Sequence, residues 1–229
     1  MLSIVSTPIG NLGDLTLRAL KTLKECDAIV CEDTRVTGKL LHMLDLPKKE
    51  LISFHGYSDK KKLCAIIQRL EQGEHLALVS DAGTPGISDP GYQLVSQIVT
   101  KQKHSLQPNP YKLQPIPGPS AFLAALSASG LPINQFLYLG FLPLKKGRKT
   151  LLESLKEEKR TIVFYESVHR IKKTMSELAD ALQEQPHRPV VICRELTKMH
   201  EEVLRTTITE LPHITFTQKG EFVVVIGAM

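Results

Sequence analysis

The chain has 229 residues, of which 42% are hydrophobic and 23% are charged, with a formal net charge of +5. This composition is typical of a globular protein with one large domain or two small ones. No apolar run is long enough to span a bilayer, and the start lacks a signal-peptide pattern, so we expect a cytoplasmic protein with no membrane partner.

The four cysteines, Cys26, Cys31, Cys64 and Cys193, show no metal-binding pattern. They include no C-x-x-C pair, and no His cluster accompanies them, so we expect buried thiols, no bound metal and no disulfide framework. The basic excess suits a partner rich in phosphate, such as a nucleic acid.

Apolar strands and amphipathic helices alternate along the first half of the chain. The predicted strands are LSIVSTP, AIVCEDT, LISFH, HLALVSD and KLQPIPG. The helices between them are LTLRALKTLKEC, TGKLLHML, KKLCAIIQRLEQG and GYQLVSQIVTK. This alternation predicts right-handed βαβ units and a mostly parallel sheet. The polar segment 101–112, which carries two prolines, is predicted to be a surface loop.

Strands dominate the second half. The predicted strands are FLYLGFLP, TIVFYES, VVICREL, EEVLRTTITEL and EFVVVIGA, with a helical turn around TITELPH. Two helices, in LKKGRKTLLESLKEE and HRIKKTMSELADALQE, lie between them. This pattern predicts a mixed or antiparallel second sheet. We therefore expect two α/β domains, 1–117 and 118–229.

Four of the predicted strands in the first half end in glycine, proline or charged residues. These ends are TPIGN, EDTR, DAGTP and PGPS. The carboxyl ends of parallel strands share one edge, where α/β proteins bind ligands. Neither a Walker loop nor a G-x-G-x-x-G motif is present, which disfavours a nucleotide phosphate. A ligand with a carboxylate, an amine, a ribose and an adenine suits these ends better, because Gly83 and Gly86 allow close backbone approach.

Two residues at these strand ends have alternative interpretations. Ser120 can cap the helix that follows it or donate to a ligand. Asp81 can accept from a ligand amine or close its own turn, and the residue type alone favours the turn.

The motifs together resemble a known family. In order they are STPIGNLGDLTLRAL, CEDTR, LVSDAGTPGISDPGY, IPGPSA, LSASGLP, GFLP, FYESVHRI, RELTK and KGEFVVVI. From residue 3 to about 226 they resemble the bacterial small-subunit (16S) ribosomal RNA ribose 2′-O-methyltransferases of the tetrapyrrole methylase superfamily. The resemblance implies the tetrapyrrole methylase fold, S-adenosylmethionine in a cleft between two domains, and a homodimer. It also implies methylation of a cytidine 2′-hydroxyl in the decoding region.

The resemblance implies site residues by motif. The cofactor-binding candidates are Pro8, Gly10, Asp81, Ala82, Gly83, Thr84, Pro85, Gly118, Pro119, Ser120, Ala121, Phe164 and Tyr165. The catalytic candidates are Asp33, Arg35, Glu166 and Lys198, drawn from a wider set that includes Glu32, Arg194 and Glu195. The general base stays unassigned, and a helix cap with an Asp–Arg surface pair is the alternative for Asp33 and Arg35. A sulfonium methyl donor is already activated, so no metal is expected.

Basic residues in the second half are candidates for contacts with RNA phosphates. They are Lys145, Lys146, Arg148, Lys149 and Arg170. The alternative is a solvated helix face. Few aromatic residues lie among these charges, so no stacking platform for single-stranded RNA is predicted. Many members of the family carry a further basic carboxy-terminal extension. Without one, we expect this protein to make fewer contacts with RNA.

Two rival functions remain open at this stage. A tetrapyrrole methylase of the same superfamily would share the cofactor loops but need a roomy apolar acceptor cleft. A ribosome-assembly protein that binds S-adenosylmethionine without catalysis would keep the same strand ends.

Overall fold

The computed structural model describes residues 1–56, 60–103 and 111–229. The predicted surface loop 101–112 lies mostly outside these residues. The chain forms two compact units, Met1–Ser120 and Ala121–Met229. The domain boundary expected after residue 117 stays a prediction, because compactness alone does not show that either unit folds by itself.

The amino-terminal unit is built on five parallel strands. They are β1 (Leu2–Val5), β2 (Ala28–Cys31), β3 (Glu50–Ser53), β4 (Leu76–Leu78) and β5 (Leu113–Ile116), in the spatial order β3-β2-β4-β1-β5. Every pairing among them is parallel. This arrangement confirms the prediction of a parallel sheet made from βαβ units.

The direction of each crossover decides which face of this sheet a helix covers. The helices are α1 (Leu17–Glu25), α2 (Thr34–Met43), α3 (Lys60–Glu71) and α4 (Gly91–Lys103). The connections through α1 and α2 run towards β3, and those through α3 and α4 run back towards β5. Right-handed crossovers therefore put the two pairs on opposite faces, where they bury separate apolar clusters.

The order of the strands creates a switch point between β1 and β4. These neighbours send their next connections in opposite directions, so the helices diverge beyond their carboxyl ends. Such a divergence leaves a crevice at the sheet edge, which is the usual ligand site of open α/β sheets.

The carboxy-terminal unit has a mixed sheet, as predicted. Its strands are β6 (Phe136–Phe141), β7 (Thr161–Glu166), β8 (Pro189–Arg194), β9 (Glu202–Thr207) and β10 (Phe222–Ile226), in the order β6-β7-β10-β8-β9. The β6–β7 pair is parallel and the others are antiparallel. The predicted helical turn is a 3₁₀ helix, Ile208–His213, which begins with a capping box between Thr207 and Glu210.

Three helices cover the two faces of this second sheet. They are α5 (Ala121–Ser129), α6 (Arg148–Ser154) and α7 (Ile171–Ala181). Helices α6 and α7 bury the core face, towards which Ile162 and Phe164 of β7 point. Helix α5 contacts the opposite face, where the Phe122 ring stacks on Tyr138 at a centroid distance of 4.6 Å. The alternation along β7 therefore assigns each side chain to one face.

The cysteines are free, and all but Cys64, which is exposed, are buried as predicted. None of the helices in the described ranges is long and apolar enough to cross a membrane.

Candidate functional site

The loops that follow β1 and β4 are locked to each other. Thr7 and Gly83 exchange two backbone hydrogen bonds, of 2.9 and 3.1 Å. The buried Thr7 hydroxyl also donates to the carbonyl of Ser80 at 3.1 Å. The two loops beside the switch point therefore form one rigid piece, because a buried backbone pair is costly to open.

The loop after β5 joins the same assembly through hydroxyl groups. Ser6 Oγ and Thr84 Oγ1 lie 2.9 Å apart, and Thr84 Oγ1 donates to the carbonyl of Pro119 at 3.0 Å. A Cβ atom on Gly118 would lie 2.9 Å from the Cβ of Ser6, so this close approach requires glycine. Three of the four strand ends singled out in the sequence thus meet at one edge.

The end of β2 is joined to the end of β4 by Asp81. Its Oδ1 accepts from the backbone N–H of Asp33 at 3.1 Å, across 48 residues of sequence. The interpretation that Asp81 closes its own turn is therefore wrong. Asp89 has that local role instead, since its carboxylate accepts from Gly86 N at 2.8 Å and Gly91 N at 2.7 Å, where α4 begins. The sequence signal for this role is an aspartate two residues before the first helical residue, Gly91.

The main chain between Asp81 and Gly86 is held in an unusual conformation. Gly83 and Gly86 have φ values of +81° and +88°, which glycine adopts without steric cost. Pro85 is buried and Ala82 is exposed. The loop therefore anchors Gly83 and Pro85 inwards and leaves Ala82 at the surface, where a ligand can approach it.

Ser120 Oγ is a buried polar atom without a hydrogen bond among the described residues. The serine, 8% exposed, directly precedes α5, yet its hydroxyl makes no capping bond. A buried unsatisfied hydroxyl costs roughly 1–3 kcal/mol, so it marks a place where a ligand can supply the partner. Of the two interpretations left open by the sequence, the structure favours ligand contact.

The rim of these loops is electronegative. Burial, followed by the nearby carboxylates of Asp81 and Asp89, raises the pKa of Glu32. Burial and the neighbouring Asp33 and Asp89 likewise raise the pKa of Asp81, although its hydrogen bond from Asp33 N–H opposes this. Carboxylates held together in this way favour a cationic ligand and disfavour a phosphate.

Asp33 and Arg35 form the local pair that was the alternative to a catalytic role. Asp33 caps α2 by accepting from Arg35 N at 2.8 Å, and its Oδ2 lies 2.6 Å from Arg35 Nη2. Hydrogen bonds from Arg35 lower the pKa of Asp33 to about 2. So acidic a group is a poor proton acceptor at neutral pH, and a catalytic role for either residue stays a prediction.

Glu166 is buried inside the carboxy-terminal unit, which contradicts the prediction that it is catalytic. It is 1% exposed, and its carboxylate lies 2.7 Å from Arg170 Nη2 and accepts from Thr174 Oγ1 at 2.7 Å. Both oxygens are taken up by neighbouring side chains, so neither faces a substrate. Spacing in FYESVHR could not distinguish this buried network from a surface site.

Arg148 and Arg170 serve the same network, so the prediction that they bind phosphate is wrong. The Arg148 side chain is only 8% exposed, and its Nε donates to Glu177 at 2.7 Å. Arg170 is committed to Glu166 and to the carbonyl of Leu142, at 2.9 Å. By contrast, Lys145, Lys146 and Lys149 are exposed, in agreement with a surface role.

Lys198 bridges two carboxylates. Its Nζ lies 2.8 Å from both Glu195 and Glu221. Burial by itself lowers the pKa of Lys198. The interactions with these two carboxylates outweigh burial, so the pKa is raised. A lysine held protonated in this way cannot act as a base, and its contacts indicate that it fastens the loop after β8.

Phe164 and Tyr165 point to opposite faces of β7. Phe164 is fully buried in the core, so its predicted contact with the cofactor is wrong. Tyr165 is half-buried on the other face, where its hydroxyl oxygen accepts from Phe122 N at 3.3 Å. Ala121 begins α5 immediately before Phe122. Within the described ranges, no group of three or more His, Cys, Asp or Glu side chains is placed to hold a metal ion.

The family model for tetrapyrrole (corrin/porphyrin) methylases matches residues 1–212. The chain belongs to this family. It is also 47% identical, over 98% of its length and 75% of the relative's, to ribosomal RNA small subunit methyltransferase I of Halalkalibacterium halodurans. The protein of the same name from Thermotoga maritima is 45% identical, over 99% of this chain and 97% of that protein.

Solved structures share the fold at lower identity. The methyltransferase CobJ superposes with a TM-score of 0.72 and 18% identity, over 99% of this chain and 93% of that one. Cobalt precorrin-4 methyltransferase gives a TM-score of 0.67 at 20% identity, over 99% and 94% of the two chains. These neighbours confirm the predicted tetrapyrrole methylase fold.

Proposed function

We propose that this protein transfers a methyl group from S-adenosylmethionine to the ribose 2′-hydroxyl of a cytidine in the decoding region of small-subunit ribosomal RNA. The observation that carries the proposal is the 47% identity, over nearly the whole chain, to a relative named as a small-subunit rRNA methyltransferase. The solved enzyme with a corrin precursor in its name has the same fold at 20% identity. The higher identity to the rRNA methyltransferase favours an rRNA acceptor over a tetrapyrrole.

The cofactor site that we propose lies at the loops of the amino-terminal unit. Its residues are Pro8, Gly10, Asp81 to Pro85 and Gly118 to Ser120, with Ala121 and Tyr165 as further candidates. Three observations support the fit to S-adenosylmethionine. The unpartnered Ser120 hydroxyl needs a polar ligand group, Ala82 is exposed in the loop that carries the two positive-φ glycines, and the acidic rim suits a sulfonium and an ammonium.

S-adenosylmethionine supplies a methyl group that is already activated by a positive charge. The protein must then hold a ribose hydroxyl in line with it, at about 3 Å, and such positioning accounts for much of the rate of a two-substrate reaction. Asp81 and Glu32 hold negative charge beside the cation. The raised pKa of Glu32 is also the direction that a proton acceptor needs, so Glu32 is the acidic candidate that we propose for that role.

The remaining partners follow from the same proposal. The exposed Lys145, Lys146 and Lys149 would contact phosphates of the rRNA. A homodimer in the cytoplasm is the form in which we expect the protein to act.

Transfer of labelled methyl groups tests the proposal. The protein is incubated with labelled S-adenosylmethionine and small ribosomal subunits that lack the modification, and the labelled nucleotide is mapped. We expect label at the 2′-oxygen of one cytidine. Label in a corrin or porphyrin acceptor supplied in parallel would favour the tetrapyrrole methylase. Cofactor binding without transfer to either acceptor would favour the assembly protein.

A further inference from the structure

Phe141 is turned to the outer face of its sheet by an irregularity in β6. Tyr138 and Phe141 are three residues apart, yet they pair with β7 residues that are only two apart, and Tyr165 is the partner of Phe141. Gly140, with a φ of +62°, accommodates the extra residue. Simple alternation would have placed Phe141 beside Leu139, which packs on the core. The bulge instead aims the ring towards the face that holds Tyr165.

The Phe141 ring is exposed but fixed in place. It is 53% exposed, and its centroid lies 5.4 Å from that of Tyr165. Tyr165 contacts Tyr138 edge-on at 5.6 Å, and Tyr138 is stacked on Phe122. This row of rings, which we term the aromatic shelf, is rigid and ends in an aromatic face that solvent can reach. Exposed aromatic surface of this kind is characteristic of binding sites.

A basic turn follows the aromatic shelf at once. Lys145 and Lys146 are exposed, and no carboxylate in the described ranges forms an ion pair with either. Leu144 beside them is 75% exposed. A positively charged turn next to an open aromatic ring matches the alternation of phosphate and base along a single nucleic-acid strand.

The basic turn is held in place by the buried Arg148 and the half-buried Arg170. Arg170 Nη1 donates to the carbonyl of Leu142 at 2.9 Å, and Arg148 Nη1 donates to that of Pro143 at 3.1 Å. Both guanidinium groups are in turn fixed by Glu166, the nearer at 2.7 Å. The lysines are therefore presented on a fixed segment of chain, which lowers the entropy lost on binding.

We propose that Phe141 stacks on an unpaired base of the RNA substrate while Lys145 and Lys146 hold the phosphates beside it. The inference rests on the proposed function and adds a base-binding subsite to it. It also revises the sequence interpretation, in which no stacking platform was predicted, because the bulge at Gly140 is what brings the aromatic ring beside the charges. Proteins that recognise RNA read splayed bases in this way.

A second copy of this chain fits the surface less well. A two-fold contact centred on the aromatic shelf would bring Lys145 and Lys146 of each copy towards those of the other, and like charges oppose such an interface. The chain as a whole is also basic, with a formal net charge of +5. An RNA strand meets both the ring and the charges favourably.

Substitution of Phe141 tests the inference. Phe141→Ala should raise KM for unmodified small subunits about 5- to 150-fold, the usual range for a lost stacked base, with affinity for S-adenosylmethionine unchanged. Phe141→Trp should stay within about 3-fold of the parent, and Phe141→Leu should behave like the alanine variant. Phe136→Ala is the matched control, since Phe136 is 37% exposed on the same face at the opposite end of β6.

Removal of the two lysine charges tests the role of the same turn by an independent measurement. Lys145→Gln with Lys146→Gln should reduce the slope of log affinity against log salt by about 2, because each phosphate contact contributes about 1. An unchanged KM in Phe141→Ala, or full activity in Phe141→Leu, would overturn stacking. Conversion of a dimer to a monomer by Phe141→Ala would assign the surface to a second copy and also overturn it. If the parent protein itself transfers no methyl group to rRNA, the proposed function has failed, which is a separate result.

Discussion

The two units use charged side chains in opposite ways. At the rim of the amino-terminal unit, Glu32 and Asp81 face other carboxylates, and burial raises the pKa of each. In the carboxy-terminal unit, Glu166 is enclosed by cationic partners within the same unit. The first arrangement is incomplete without a cationic ligand, whereas the second satisfies itself. The contrast teaches that an unsatisfied group marks a site more reliably than a charged motif does.

Removal of one buried charge from the carboxy-terminal network should have the largest effect on stability. Glu166→Gln keeps the shape of the side chain but leaves Arg148 and Arg170 short of a counter-charge in a buried setting. Breaking such a pair from one side costs about 3–5 kcal/mol. We therefore expect the free energy of unfolding, measured in urea, to fall by about that amount.

Glu153→Gln is the matched control for this change. Glu153 pairs with Lys149 at 3.7 Å on an exposed helix face, where an ion pair contributes at most about 1 kcal/mol. Similar losses for the two variants would show that Glu166 is not structurally special and would restore it as a site candidate.

Neutralisation of Asp81 should have the opposite effect to that of Glu166→Gln. It should weaken the binding of S-adenosylmethionine without lowering the free energy of unfolding. Asp81→Asn retains an oxygen to accept from Asp33 N–H but removes a charge that burial and neighbouring carboxylates disfavour. We expect affinity for S-adenosylmethionine, measured by calorimetry, to fall about tenfold, which is about 1.4 kcal/mol. The free energy of unfolding at pH 7 should stay level or rise.

The contribution of Asp81 to the free energy of unfolding changes with pH in a definite direction. The pKa of Asp81 is raised in the folded state, so its charge opposes folding above that pKa and the penalty is relieved as pH falls through it. The asparagine variant should lack this component. Asp180→Asn, on an exposed face of α7, should change neither affinity nor stability. A marked loss of stability in Asp81→Asn would contradict a ligand-directed role for the carboxylate.

The sequence predicted the elements well because their periods were clear. Continuous apolar runs marked the buried parallel strands, and the convergence of the β1, β4 and β5 ends followed from the rule that carboxyl ends share an edge. Contacts between side chains that are distant in the sequence could not be predicted in this way. The buried pairing of Arg148 and Glu166 joins α6 to the end of β7, and nothing in either motif separates burial from exposure.

The aromatic shelf was not predicted from the sequence for a different reason. Counting residues along FLYLGF places Phe141 on the core face, and only the bulge at Gly140 moves it to the outer face. An isolated glycine within a strand is a known bulge signal, so the residue could have prompted the question. It could not have shown that Tyr165 would lie behind the ring.

Hydrogen exchange of the backbone, with and without S-adenosylmethionine, tests the central claim most directly. If the loops at the switch point hold the cofactor, its addition should slow exchange within residues 7–10, 81–86 and 118–121. The edge strand β9, Glu202–Thr207, should be unaffected. Slower exchange confined to other segments, or no change at saturating cofactor, would contradict the account.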